Sequence, residues 1–249
     1  MTKEEWIKKC EHWKSKWPVI QPSYLPNDCD FKLNIYAVLD AINKFSKPED
    51  ILMGDAGSIS YTGPVALESK KGQRFIFSPA QADMGWALPA AIGVSLASNQ
   101  PVISIIGDGS FMSNVQELAV VKQHNLNIKF IILNNNGYLS IKNTQSRFFE
   151  GRVYGTSGET GLWFPSFKNI ALAFDIEYEF INTKQTLNSL SKFLDHVGPM
   201  IIDIRCLEDQ QVLPAQSYKN GKQAGLHDMA PFLSEEELKD EMIVKELLN

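Results

Sequence analysis

Residues 103–139 read ISIIGDGSFMSNVQELAVVKQHNLNIKFIILNNNGYL, and this stretch decides the fold. An apolar run from Val102 to Ile106 stops at Gly107-Asp108-Gly109-Ser110. A helical pattern at about Ser113 to His124 follows, and a second apolar run from Ile128 to Leu133 stops at Asn134-Asn135-Asn136-Gly137. Short continuous apolar runs bounded by turn residues read as strands buried on both faces. The helix between them is a crossover, so the strands are parallel and both polar turns emerge at the carboxyl edge of the sheet. Open α/β sheets hold their ligands at that edge.

The residues at that edge suit a particular chemistry. Asp108 offers a carboxylate oxygen, Asn135 a side-chain carbonyl oxygen, and Gly137 a backbone free to turn its own carbonyl inward. Oxygen ligands in an irregular cage fit Mg²⁺, which completes its octahedron with water and phosphate oxygens. The start of the crossover helix lies beside them, and its N–H groups favour an anion. Metal and helix start together read as a diphosphate site. Glu117 lies within the crossover helix and reads as a structural residue.

With those residues in hand, the sequence resembles a known family. Gly107-Asp108-Gly109, the intervening residues to 133 and Asn134-Asn135 resemble the thiamine-diphosphate motif. Met84-Gly85-Trp86-Ala87-Leu88-Pro89-Ala90-Ala91-Ile92-Gly93 is similar to a second segment of the acetolactate synthase branch. The resemblance implies thiamine diphosphate and Mg²⁺ as cofactors, with Asp108, Asn135 and Gly137 on the metal. It implies cofactor contacts from Gly57, Ser58, Ala82, Met84, Gly107, Asp108, Gly109, Ser110, Asn135, Gly137, Tyr138 and Leu139. Met84 would support the bent shape of the cofactor, and the Ala82 carbonyl would accept from its aminopyrimidine. Ser58-Ile59 stands where the family usually shows Gln-His.

The implied reaction is decarboxylation of a pyruvate-like 2-oxoacid and ligation of the resulting enamine to a second carbonyl compound. Alternatives are a simple 2-oxoacid decarboxylase, a carboligase acting on a ketosugar, and a non-catalytic scaffold subunit. The β-subunit type of 2-oxoacid:ferredoxin oxidoreductase shares the motif but carries cluster-binding cysteines, and Cys10, Cys29 and Cys206 are scattered with no CxxC. The family takes its activating glutamate from a separate pyrimidine-binding domain, for which 249 residues leave no room. The chain is therefore expected to be the diphosphate-binding part alone, a subunit or a piece of a longer protein, working in a homo- or hetero-oligomer.

Composition bounds the rest. A net charge of −5 without a dense Lys/Arg patch argues against nucleic acid. No run approaches the roughly 18–20 apolar residues of a membrane span, and the charged N-terminus lacks a signal-peptide core, so a cytoplasmic protein is expected. His12, His124, His196 and His227 show no metal-ligand spacing.

The remaining elements follow in order. Trp6, Cys10, Trp13 and Trp17 mark one face of a helix over residues 3 to 17, ended by Pro18 and readable as a docking face. A helix is expected from Ile35 to Phe45 with Asn34 as its cap. Strands are expected at 51–53, 74–77, 177–181 and 200–205. Helices are expected at 84–97, 138–146, 167–174, 184–196 and 235–248. Residues 147–166 read as a cap near the site or as a contact with a partner chain, and 207–233 as irregular. The expected organisation is a linker helix and connector at 1–31, the cofactor-binding domain at 32–206 and a C-terminal extension at 207–249. The fold class is α/β: a doubly wound, mostly parallel sheet of about six strands flanked by helices.

Overall fold

The computed structural model describes residues 1–219 and 221–244. Helix α1 (Lys3–Lys16) begins in a capping box: Thr2 Oγ1 accepts from the Glu5 N–H, and the Glu5 carboxylate accepts from the Thr2 N–H. Every residue of α1 is at least partly exposed, and Trp6 and Trp13 meet edge to face at 5.9 Å. Helix α2 (Ile35–Phe45) starts where Asn34 Oδ1 accepts from the Tyr36 N–H, as its sequence position predicts.

The alternating part then runs β1 (Ile51–Gly54), α3 (Ser58–Ala66), β2 (Arg74–Ile76), α4 (Ala87–Ser98), β3 (Val102–Gly107), α5 (Asp108–Ser113), α6 (Leu118–Gln123) and β4 (Ile128–Asn134). It continues with α7 (Leu139–Phe148), α8 (Phe167–Ala173), β5 (Glu177–Ile181), α9 (Lys184–Asn188), α10 (Leu190–Leu194) and β6 (Met200–Arg205). The six strands form one sheet in the order β2-β1-β3-β4-β6-β5, and every pairing is parallel.

Alternation along the strands sorts the core onto two faces. Ile103, Ile105, Ile131 and Leu133 join one apolar cluster with residues of α2, α3, α9 and α10. Val102, Ile106, Ile128, Phe130 and Ile132 join another with residues of α4, α6 and α8. Each fully buried Ile contributes about 1.5–3 kcal/mol, so the strand ends are pinned and the turns beyond them have little freedom to drift. The chain leaves β1 for β2 on one side and reaches β4 from β3 on the other. The loops after β1 and β3 therefore part to opposite faces, which opens a crevice at the carboxyl edge.

Several local expectations are corrected. Residues 58–66 form α3, an element absent from the sequence expectations; Gly63 and Pro64 mask the pattern. At Gly63 a Cβ would lie 3.0–3.2 Å from the side chains of Phe77, Phe75 and Ile59, so these pack closely against the helix. Helix α4 starts at Ala87 rather than Met84, so Met84-Gly85-Trp86 is a connector. Gly93 faces open space and serves no close packing. The expected crossover helix is broken at Asn114, which leaves helical geometry at φ −134° so that its Nδ2 can donate to Gly85 O at 2.9 Å. The helix expected over 184–196 breaks at Ser189.

Contacts divide the chain into two compact units, Met1–Gln210 and Gln211–Asn249. The second contains a small antiparallel pair, β7 (Tyr218–Lys219) with β8 (Lys222–Gln223), in a stretch expected to be irregular. It also contains helix α11 (Glu235–Glu241), capped by Ser234. The helix expected to run to Leu248 stops at Glu241, and residues 245–248 of that expectation lie outside the described residues.

Candidate functional site

Where β3 ends, Asp108 begins α5 and is 2% exposed. Its Oδ1 accepts from the Gly109 N–H at 2.7 Å and its Oδ2 from the Gly137 N–H at 3.0 Å. Burial pushes its carboxyl up to about 7, although the N–H groups of Gly109, Gly137 and Asn136 pull it back down. Backbone N–H groups support this acid, and among the described residues no cation pairs with it. Where β4 ends, the chain turns through Asn136 at φ 60°, a left-handed conformation that Asn tolerates. The turning residue is thus Asn136, not Gly137. Gly137 is small for another reason: a Cβ there would lie 2.2 Å from Thr156 O. Gly137 bridges to Ser157, and the Tyr138 N–H donates to Thr156 O at 2.9 Å, so residues 156–157 lie directly against the turn.

Between these two segments, Asn135 Oδ1 is buried and has no hydrogen-bond partner among the described residues. A buried orphan acceptor costs about 1–3 kcal/mol. The Asp108 carboxylate, which burial disfavours, belongs to the same cleft. Two residues on one cleft that offer hard oxygens, neither paired with a cation among the described residues, fit a divalent cation such as Mg²⁺.

Asp108 and Asn135 both border one cleft holding about 630 Å³ of space, part of it open to solvent. Gly57 and Ser58 reach it from the end of β1, and Gly107, Gly109 and Ser110 from the end of β3. Gly137, Tyr138 and Leu139 reach it from the end of β4. The crevice at the switch point of the sheet is therefore this cleft. Met84 joins the lining and is 40% exposed. Ala82 is not brought to it: this residue is exposed, at φ 52°, with its N–H bonded to Ser78 O. Ile59 packs in the core at 1% exposure and also lines the cleft, to which it brings only an apolar side chain.

Asp55 is a residue whose part the sequence leaves undecided. It is 3% exposed; its Oδ1 accepts from the Ala56 N–H at 2.5 Å and its Oδ2 from the Ala87 N–H at 3.2 Å. It thus ties the end of β1 to the first residue of α4 and steadies the connector that carries Met84. Gly85 lets that connector approach α5, since a Cβ there would lie 2.6 Å from Ser113 Cβ. Burial pushes the Asp55 carboxyl up to about 6. Cys206, Leu207, Gln210 and Ile35 also line the cleft. Nothing in their sequence context marks them, because only the sheet order brings them there.

Comparison with known proteins agrees with this geometry. Residues 55–204 match the family described as thiamine pyrophosphate enzyme, C-terminal TPP binding domain, thiamine pyrophosphate being another name for the diphosphate. The chain is 29% identical over 225 residues to the acetolactate synthase large subunit of Pyropia yezoensis, covering 89% of this chain and 37% of that protein. It is 33% identical over 175 residues to an acetolactate synthase of Arthrospira platensis, covering 69% and 28%. It is 29% identical over 195 residues to the acetolactate synthase isozyme 1 large subunit of Escherichia coli K12, covering 78% and 34%. The chain spans 28–37% of the length of these relatives. By the extent of the family match and the cleft it coincides with, the chain belongs to the C-terminal TPP-binding domains of the thiamine pyrophosphate enzymes.

Proposed function

We propose that this chain is the diphosphate-binding part of an acetolactate synthase-like enzyme. That enzyme decarboxylates a pyruvate-like 2-oxoacid and joins the retained carbon unit to a second carbonyl compound. The observation that carries the reading is the pairing of an orphaned Asn135 Oδ1 with a buried, cation-free Asp108 carboxylate on one cleft. When bound, thiamine diphosphate supplies the electron sink for decarboxylation.

The work of this chain is to hold and shape the cofactor. Asp108, Asn135 and the Gly137 carbonyl would hold Mg²⁺, which would supply positive charge for a diphosphate. Gly57, Ser58, Gly109 and Ser110 offer backbone and hydroxyl donors to the phosphate oxygens. Met84, on the lining of the cleft, would supply apolar bulk that shapes the bound cofactor. Tyr138, which meets Phe164 edge to face at 5.9 Å, helps close the cleft against water. Within the chain, residues 32–206 carry this machinery.

Turnover requires a pyrimidine-binding domain or subunit that contributes an activating glutamate, so the active species is an oligomer or a longer chain. Among the described residues no helix is long and apolar enough to cross a membrane, in keeping with a cytoplasmic enzyme. The test is calorimetry of thiamine diphosphate binding with and without Mg²⁺, followed by pyruvate turnover with a pyrimidine-binding partner added. Metal-dependent binding, with turnover only in the presence of the partner, is expected. Metal-independent binding would contradict the proposal, as would sustained turnover by this chain alone.

A further inference from the structure

Asp203 lies near the end of β6 and is 5% exposed. Nothing so far gives it a task, and a buried carboxylate needs a reason. Its Oδ2 accepts from the Tyr178 hydroxyl at 3.0 Å, and its Oδ1 accepts from Asn134 Nδ2 at 2.9 Å. Asn134 is the last residue of β4. At the other end of its amide, Oδ1 accepts from Arg205 Nη1 at 3.3 Å and from the Asn136 N–H at 3.2 Å.

The donor and acceptor types leave one orientation for this amide. A carboxylate only accepts, while a guanidinium and a backbone N–H only donate. The Asn134 amide therefore cannot turn over without setting donor against donor and acceptor against acceptor. With Nδ2 held by Asp203, Oδ1 points at the turn and holds the Asn136 N–H. Asn136 is the residue in the left-handed conformation, and Gly137 after it bonds Asp108 Oδ2. Asn135, with its orphaned oxygen, lies within this held turn.

We propose that Asp203, anchored by the Tyr178 hydroxyl, is a positioning residue that acts through Asn134 to set the Asn135–Gly137 turn for the metal. This rests on the cation site proposed above. Asp203 touches neither metal nor cofactor. It fixes the angle at which the Asn135 oxygen and the Gly137 backbone meet Asp108. Partners at one remove from a metal typically change its affinity ten- to a hundredfold when removed. Mg²⁺ demands a near-ideal octahedron, whereas Ca²⁺ accepts a looser cage. A loosened turn therefore loses Mg²⁺ more than Ca²⁺.

The experiment uses the full chain with thiamine diphosphate present. Mg²⁺ and Ca²⁺ are titrated by calorimetry, and amide exchange at Asn136, Gly137 and core Ile131 is followed by NMR. Asp203→Ala is expected to weaken Mg²⁺ at least tenfold, to weaken Ca²⁺ less, and to speed exchange at Asn136 and Gly137 but not at Ile131. Asp203→Asn, whose amide can accept from Asn134 and donate to Tyr178, is expected to restore Mg²⁺ affinity to within about threefold. Mg²⁺ affinity unchanged in Asp203→Ala overturns the proposal, as does faster exchange everywhere with unchanged metal preference. If Asp203→Ala does not fold, Tyr178→Phe carries the test. A threefold or greater loss of Mg²⁺ affinity then supports the proposal, and wild-type affinity overturns it. A wild-type chain that binds no Mg²⁺ overturns the cation site itself, a result distinct from a wild type that binds and variants that bind equally.

Discussion

The Gly137 N–H donates to Asp108 Oδ2 across 3.0 Å and so joins the turn after β4 to the end of β3. Both strands are buried along their length and paired in parallel register, Gly107 opposite Leu133. Their ends therefore cannot part without exposing core. The bond makes two segments separated by a whole crossover present oxygens to one cleft, at an acid that burial holds partly protonated near neutral pH.

Removing that acid separates fold from function. Asp108→Ala deletes two backbone hydrogen bonds and also a carboxylate whose ionisation burial disfavours. The two effects offset, so the change in unfolding free energy is expected to stay within about 2 kcal/mol. Far-UV circular dichroism stays that of the wild type, while Mg²⁺-dependent binding of thiamine diphosphate disappears in calorimetry. Unchanged cofactor affinity would show the metal placed wrongly.

The pH dependence of the cofactor-free chain draws most on two acids, Asp108 raised to about 7 and Asp55 to about 6, both through burial, which also raises Asp50 and Asp203. In the unfolded chain both titrate near pH 4. Between about pH 4 and those higher values the folded state binds more protons, so each acid makes stability fall as pH rises, by about 1.4 kcal/mol per pH unit. The Asp55 effect ends near pH 6 and that of Asp108 near pH 7. Urea unfolding with chelator present is expected to show this fall, less steep in Asp108→Ala. Mg²⁺ needs the ionised carboxylate, so its affinity rises over the same window and the fall is removed when metal and cofactor are added. Identical pH profiles for wild type and Asp108→Ala would contradict this.

Gly137 and Gly93 make an opposed pair. A methyl group at Gly137 meets a backbone oxygen, Thr156 O at 2.2 Å, which cannot swing away as a side chain could. Gly137→Ala is expected to cost about 1–3 kcal/mol and to weaken Mg²⁺ along with it. At Gly93, inside α4, nothing lies within 4 Å. Gly93→Ala is expected to stabilise by about 0.5–1 kcal/mol and to leave the cofactor untouched. Chemical denaturation of both variants checks the contrast.

The strands and the two site-bearing turns were legible in the sequence because uninterrupted apolar runs and glycine-rich stops carry their own signal. The details at the turns were not. Asn136 takes the left-handed turn that Gly137 seemed made for, because Gly137 is required by Thr156, a neighbour that only tertiary structure supplies. The break at Asn114 depends on Gly85, and α3 holds a glycine and a proline that its packing on Phe75 and Phe77 tolerates. Tyr178, Asp203 and Asn134 lie on three strands, and no local pattern links them.

Met84 is half-exposed on the cleft and its connector is held by Asp55 and Asn114 rather than by Met84 itself. Met84→Ala is therefore expected to change stability by no more than about 0.5 kcal/mol. In the assembled enzyme it lowers kcat more than it weakens thiamine diphosphate binding. Steady-state kinetics beside calorimetry check this, and a loss confined to affinity would remove Met84 from a shaping role.

The most direct measurement is an anomalous difference map from crystals of the chain grown with Mn²⁺, standing in for Mg²⁺, and thiamine diphosphate. A single strong peak about 2.0–2.3 Å from both an Asp108 carboxylate oxygen and Asn135 Oδ1 is the predicted result. A map with the cofactor bound and the metal peak away from those two oxygens would contradict it.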